Sequence, residues 1–516
     1  MTFNRIITFG DFHGDLDILL ASLAEKGLIR YEQKQDDIVE QIKAGLNDAF
    51  VPSLEAIIIP QSQPVRVVFL GDFLDRYHFG YHIIQFLQKI RWETFEIYPI
   101  FILSNHDLLN FHFFINPFEL PEIYYGSGHS KSDTISYIKQ MGINQSLDSF
   151  KALHGDEIVK LQQRFYETGK LEYQEAGYTL LYQYPCDLSP LAQPRIYQTG
   201  SYQIEYNNLV KALGLGSEKC LKEEKTSSVV KLTDSLFNLL GELTAEKEPR
   251  NWWDLSHNQD AWEINYQGTL SHFNLFIKEI DENNVEIFIV DWRVISLIWR
   301  HHYGHFFRRI QLLHNEGSTL FVHGGISPLA MMDPLVFGNL YDPRHDTFKA
   351  LRAKYKRDLS LEKVINRSNR LVAQIMENAL NDYSFRRMNG LEVIDQMGYW
   401  RGVAEGFPTF GGPVWSDFDY LRQNLKQHER LKVLYQAFKE ATGIERIICG
   451  HTQFHLRDKP DVRYLMISEL QFCGLEYLCV DNACSRGYRD EPILNGIEID
   501  QEGKIQSLGE VAASSW

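Results

Sequence analysis

Five short motifs in this chain place carboxylates, imidazoles and one amide where they could converge on metal ions. Gly10-Asp11-Phe12-His13-Gly14 sets a hard oxygen donor two residues before an imidazole, with a glycine on either side to allow a tight turn. Gly71-Asp72-Phe73-Leu74-Asp75-Arg76 offers a carboxylate able to bridge two ions, then a second carboxylate and a guanidinium whose planar fork matches a phosphate. Ser104-Asn105-His106-Asp107 adds a neutral oxygen ligand with an imidazole beside it. His323-Gly324-Gly325 and Gly450-His451-Thr452 each add one more imidazole. Carboxylate mixed with imidazole suits Mn, Fe, Zn or Co better than Ca or Mg alone. Each motif also has an ordinary explanation. Asp15 fits a helix N-cap, Asp75-Arg76 a surface ion pair, and a histidine at a strand end a hydrogen-bonded surface group. Their recurrence in one chain is what points to a site.

The elements that must position them are short apolar runs, each ending in one of these polar clusters. The runs are Arg5–Gly10, Val65–Leu70, Ile97–Leu103, Thr319–Val322, Arg446–Cys449 and Tyr477–Val480. Continuous β-branched and aromatic runs of this length fit strands covered on both faces. Apolar spacing predicts helices over 16–23 and 81–90, so strand, polar turn and helix alternate as in an α/β layered fold. In such sheets ligands gather outside the carboxyl ends of the strands, where all five motifs fall.

Two stretches interrupt the pattern. The chain is read as catalytic core over 1–109, a cap or docking insertion over 110–291, core over 292–328, a helical insertion over 329–414, core over 415–510 and a tail over 511–516. The insertions are expected to be mainly helical, from helix-like patterns at 156–168, 227–245 and 361–380. Aromatics such as Tyr166, Tyr173, Tyr178, Trp252 and Trp253 fit the first insertion's own core, or a docking surface.

At 516 residues and 44% hydrophobic content the chain can bury a large core. A net charge of −16 argues against general nucleic-acid binding, which needs a basic stripe. Six scattered cysteines form no CxxC pair and fit a reducing compartment. No secretory leader and no run of about 18 apolar residues is present, so no membrane span is expected and the location is read as cytoplasmic. Cys449 reads as a small buried residue.

Taken together, GDFHGD, GDFLDR, SNHD, HGG and GH resemble, in that order, the motifs of the phosphoprotein phosphatase (PPP) family within the metallophosphoesterase superfamily. The resemblance reaches from the start of the chain to about residue 452, and Trp415-Ser416-Asp417 resembles a further family segment. It implies an α/β fold, a metallophosphoesterase-like β-sandwich flanked by helices. It also implies two divalent ions, manganese first, with iron or zinc as alternatives. Asp11 and His13 would hold one ion, Asp72 both, and Asn105, His323 and His451 the second. His106 would be the general acid oriented by Asp75, with Arg76, Asn105 and a second arginine, Arg422 or behind it Arg430, on the phosphate. Departures are Tyr77 after the arginine, Ser104 before the asparagine, Asp107 for a glutamate, and Val480-Asp481-Asn482-Ala483-Cys484 in place of the usual carboxyl-terminal segment.

The implied activity is hydrolysis of phosphate monoesters on Ser/Thr or Tyr of a phosphoprotein substrate, with water activated between the two ions. Alternatives are a dinucleoside polyphosphate or nucleotide phosphohydrolase, and a non-catalytic scaffold that keeps the fold. The small, polar tail GEVAASSW also fits the translocation signal of a bacterial effector delivered to a host cell, or simple fraying.

Overall fold

In a computed structural model the described residues are 3–31, 36–46, 48–115, 143–168, 284–325 and 361–381, most of 435–451 and 470–507, and short strands elsewhere. The expected strands form. β1 (Arg5–Phe9), β2 (Val65–Phe69) and β3 (Ile97–Phe101) pair in parallel. Between them lie α1 (Leu16–Glu25), α2 (Asp36–Lys43), the short α3 (Val51–Glu55) and α4 (Gly80–Lys89). After β3 come α5 (Asn105–Ile115) and α6 (Ile143–Thr168).

The next stretch adds strands that helical spacing did not predict. Among the described residues the first insertion carries strands beside the helix α6: β4 (Lys170–Tyr173) against β5 (Tyr178–Leu181), and a four-stranded antiparallel sheet. That sheet has β6 (Arg195–Gln198), β7 (Asp260–Ile264), β8 (Phe273–Asp281) and β9 (Asn284–Asp291) in the order β6-β9-β8-β7. Alternation such as Phe273, Leu275, Ile277 and Val285, Ile287, Ile289 has the two-residue period of a strand, which a search for helical spacing overlooks. The pattern at 227–245, Trp252 and Trp253 lie outside the described residues.

The chain then enters α7 (Trp292–Arg309), β10 (His314–Glu316) and β11 (Thr319–Phe321). α8 (Leu361–Asn381) matches the helix expected over 361–380. After the small hairpin of β12 (Gly402–Ala404) and β13 (Phe407–Thr409) come β14 (Arg446–Cys449), β15 (Leu470–Phe472), β16 (Leu475–Cys479), β17 (Ile497–Ile499) and β18 (Ile505–Ser507).

The result is mixed α/β, built on two mixed five-stranded sheets ordered β18-β17-β1-β2-β3 and β10-β11-β14-β16-β15. Each has three neighbouring parallel strands: in the first they run to one edge with antiparallel β17 and β18 on the other side, and in the second they lie between antiparallel β10 and β15. The two share one core. Val68, Leu70 and Ile102 from the first sheet meet Phe321, Ile448, Leu478 and Val480 from the second, closed by Ile497 and Ile499. Burying each such side chain contributes about 2 kcal/mol. Five of the six parallel strands, β1, β2, β11, β14 and β16, end in three consecutive buried residues, so burial is continuous towards their carboxyl ends.

Helices α4, α5, α6 and α7 interlock through aromatics. Phe114 stacks on Trp299 with centroids 5.5 Å apart, Tyr81 meets Tyr303 at 4.6 Å, and the Trp299 indole donates to the Tyr81 hydroxyl at 2.8 Å. The buried Arg300 on α7 caps two helix ends: its guanidinium donates to the carbonyls of Ala379 and Leu380 on α8 and of Ile115 on α5. No helix among the described residues is long and apolar enough to cross a membrane.

Candidate metal centre

All six parallel strands deliver a polar residue just past their carboxyl end. β1 leads to Asp11, β2 to Asp72, β3 to Asn105, β11 to His323, β14 to His451 and β16 to Asp481. Five of these belong to the motifs found in sequence. The sixth, Asp481, was quoted with its segment but given no role, although it follows an apolar strand just as the others do. All are buried except His451, which is half-buried.

Backbone contacts between the turns fix the cluster. The amides of Phe12 and His13 both donate to the Asp72 carbonyl, at 3.2 and 2.7 Å, and Gly14 donates to Phe73 at 2.9 Å. The His451 amide donates to Asp11 Oδ2 at 2.9 Å, and Gly450 to the His323 carbonyl at 2.7 Å. Gly450 has no room for a side chain, since a Cβ there would sit 2.4 Å from Asp11 Oδ1. His13, Asp72, Asp75, Arg76 and His451 all adopt positive φ, between 45° and 70°. Such backbone costs roughly 1–3 kcal/mol per residue and gathers at functional sites. Asp15 takes its expected place as N-cap of α1, accepting from the Ile18 amide.

Asp72 lies at the centre of the donor set. Its Oδ2 faces His13 Nε2 at 3.4 Å and its Oδ1 faces His323 Nε2 at 3.5 Å. Two groups of potential ligand atoms therefore share it: His13 and His106 with Asp72, and His323 and His451 with Asp72. His323 Nδ1 donates to the Leu70 carbonyl at 2.8 Å, which fixes the tautomer. Burial holds the ring's pKa down at about 4, so at neutral pH Nε2 carries a lone pair, 2.8 Å from the Asn105 amide oxygen. Acceptors facing one another in this way fit a cation between them.

The carboxylates say the same. Burial first, then the charges of Asp481 and Asp72, pushes Asp11 well above the usual range, and burial pushes Asp72 up to about 7. Grouped buried anions are costly unless a positive ion compensates them. The donor set thus fits divalent metal binding.

Beside Asp72 lies a second arrangement. His106 Nδ1 meets Asp75 Oδ2 at 2.8 Å, and the two rings His13 and His106 sit edge to face at 4.7 Å. Asp75 Oδ1 accepts from Asn110 at 2.8 Å and from the Ser146 hydroxyl at 2.6 Å, while the Asp75 amide donates back to Ser146. Burial raises Asp75 to about 7 and lowers His106 well below its ordinary value. The Arg76 charge further lowers both His106 and His13, so the guanidinium's field reaches both rings. Two departures from the family motif prove to be neighbours: the Ser104 hydroxyl donates to Asp107 Oδ2 at 2.6 Å and accepts from the Asp107 amide, a variant capping box at the start of α5. The other Asp107 oxygen accepts from the Phe73 amide.

Asp11, His13, Asp72, Asp75, Arg76, Asn105, His106, His323 and His451 are therefore all placed at the same end of the two sheets. Arg422, Arg430 and Trp415-Ser416-Asp417 lie outside the described residues. Ser146 and Asn110 were not foreseen: their role depends on α6 and α5 folding over the β2 turn, which no local motif signals. Cys449 is buried as expected and free, with Cys479 beside it in register on β16.

No family model matches the chain, and no curated protein matches it. Two solved structures superpose on it, a cold-active protein-tyrosine phosphatase of a psychrophilic Shewanella species and a single-substitution variant of a cold-active protein tyrosine phosphatase. Each is 12% identical, covers 98% of this chain and 81% of its own, and gives a TM-score of 0.34. A likeness at that level leaves the functional argument to the site itself.

Proposed function

We propose that this chain is a metal-dependent phosphoesterase that hydrolyses phosphate monoesters, with phosphoserine, phosphothreonine or phosphotyrosine of a protein as substrate. The observation that carries the reading is Asp72, whose two carboxylate oxygens address two separate histidine groups with the His106–Asp75 pair alongside. In this reading the two facing sheets are the sandwich of the metallophosphoesterase superfamily. Residues 1–109, 292–328 and 415–510 are then its core, and 110–291 and 329–414 its insertions.

Asp11, His13 and Asp72 would hold one divalent ion, and Asp72, Asn105, His323 and His451 the other. Two such ions supply an activated water and neutralise phosphoryl charge. The protein's own groups do the rest. Arg76 draws the phosphoryl oxygens into the site with its forked donors. His106 would give a proton from Nε2 to the leaving oxygen as the imidazolium, with Nδ1–H held by Asp75, whose carboxylate offsets the burial and the Arg76 charge that otherwise keep the ring neutral and fixes its orientation. Asn110 and Ser146 hold Asp75 in turn. The positive-φ turns pre-set this geometry, so little reorganisation is needed when substrate arrives.

The test is hydrolysis of p-nitrophenyl phosphate, of phosphoserine, phosphothreonine and phosphotyrosine peptides, and of a dinucleoside polyphosphate, with Mn²⁺ and after chelation. Metal-dependent turnover of the peptides supports the proposal. Turnover of the polyphosphate alone replaces it with nucleotide hydrolysis. Metal bound without turnover of any compound overturns it in favour of a scaffold.

A further inference from the structure

We infer that the chain carries a separate mononuclear zinc site at the joint of α6 and α7, formed by His154, Glu157 and His302. His154 and Glu157 lie three residues apart on α6 and therefore on one face of that helix. His302 comes from the facing α7. The Glu157 carboxylate Oε2 lies 3.2 Å from His154 Nδ1 and 3.0 Å from His302 Nε2, so a single oxygen gathers an imidazole nitrogen from each helix. All three ligand atoms lie within 4.8 Å of one another, and the two rings stand 4.2 Å apart. Tetrahedral zinc with ligand bonds of about 2.0–2.2 Å requires donor separations of roughly 3.3 Å, so small side-chain rotations admit the ion.

The chemistry of the set selects the metal. Two imidazoles and one carboxylate suit Zn²⁺, and are too few and too nitrogen-rich for Ca²⁺ or Mg²⁺. Around the set there is support for ligation. The Tyr303 hydroxyl sits 2.8 Å from His154 Nε2 and receives its hydrogen when Nδ1 binds the ion, fixing the ring from behind. The backbone on both sides is regular helix, and Gln88 donates to the His302 carbonyl, which holds that turn of α7 to α4. His154 is buried while Glu157 and His302 are half-buried, so the fourth position opens to solvent and the ion has an entry path.

This site shares no residue with the strand-end centre. It lies on the helix that supplies Ser146 to Asp75, and an ion there clamps α6 to α7.

The experiment is zinc stoichiometry by equilibrium dialysis and elemental analysis on the full chain, its His302→Ala and Glu157→Gln variants, and each change combined with Asp72→Asn. Glu157→Gln keeps the side-chain shape, so it guards against misfolding of the alanine variant, and circular dichroism checks both. Each single variant is expected to bind one zinc fewer per chain than the parent while keeping its hydrolytic activity. Zinc should raise the melting temperature of the Asp72→Asn chain by a few degrees, and do so in neither combined variant. An unchanged count in either variant overturns the site. Because the count does not depend on hydrolysis, failure of the phosphatase reading would leave this result standing, and the reverse holds too.

Discussion

The strand-end cluster and the helix-joint cluster use the same side chains to opposite effect. At the strand ends, carboxylates and imidazoles are buried among one another, several on turns held at positive φ, and Asp11 and Asp72 are pushed towards neutrality by burial and then by neighbouring carboxylates. At the helix joint, a half-exposed Glu157 accepts from His154 and His302 on relaxed helical backbone. The first arrangement is costly until a cation arrives; the second is satisfied by hydrogen bonds and only gains from one. Expense in the bare protein therefore separates the proposed reaction centre from the proposed accessory site better than the identity of the ligands does.

The sharpest way to break that contrast is Asp72→Asn. Losing the shared ligand should lower kcat/KM for p-nitrophenyl phosphate by more than about 1,000-fold. The same change removes one of several crowded buried anions, so the chelated variant should melt no lower than the chelated parent. A stable, inactive protein is the expected result, and a chelated melting temperature well below the parent's would mean the cluster is not strained. Next in size is His106→Ala. If the ring is a proton donor, kcat falls roughly 10²–10⁴-fold while the strand-end metal content stays at the parent value. His106 also lies within ligand reach of His13 and Asp72, so loss of metal from this variant would make it a ligand instead.

Sequence made the strand-end cluster readable because everything it needs is local. An apolar run, a glycine and a donor recur within a few residues, and the fold stacks those repeats at one end. Asp481 obeys the same rule after β16, and only the unfamiliar Asn482-Ala483-Cys484 that follows it hid the pattern. The helix-joint cluster had no such signature. His154 and Glu157 are unremarkable on a helix, and His302 is 145 residues from Glu157. Ser146, 71 residues from Asp75, was invisible for the same reason. The strands of the first insertion were missed because its alternation was weighed only as helical spacing. Non-local partners follow from the packing of α5, α6 and α7, and no single stretch of chain records that.

On the helical side one buried histidine makes a response to acid that can be measured by itself. His82 on α4 is buried, with Nε2 against the Lys43 carbonyl and Nδ1 against the Ser149 hydroxyl of α6, both at 3.0 Å. The carbonyl places the hydrogen on Nε2, so Nδ1 accepts and the ring is neutral. Burial depresses its pKa from 6.5 to about 4. A depressed folded-state value means the stabilisation is fully present above pH 6.5 and is lost as pH falls towards 4, by up to about 3 kcal/mol. Urea unfolding at pH 7 and pH 4.5 should show that loss in the parent and a smaller one in His82→Gln. Equal pH dependence in the two proteins would place the acid sensitivity elsewhere.

The smallest effect tests whether the two regions communicate. Among the described residues Ser146 is the α6 side chain that touches Asp75, donating to its carboxylate at 2.6 Å and accepting from its amide at 2.7 Å. Ser146→Ala removes both contacts and leaves Asn110 and His106 as the partners of that carboxylate. A single hydrogen bond to a charged group is worth about 1.5–3 kcal/mol, but Asn110 retains part of the restraint, so a decrease in kcat of roughly tenfold is expected. KM should stay put, because in the proposed mechanism Ser146 orients the proton donor and does not touch substrate, and Ser146→Thr should recover most of the loss. If the insertion helix instead only fills space, Ser146→Ala would lower the melting temperature and leave kcat where it was.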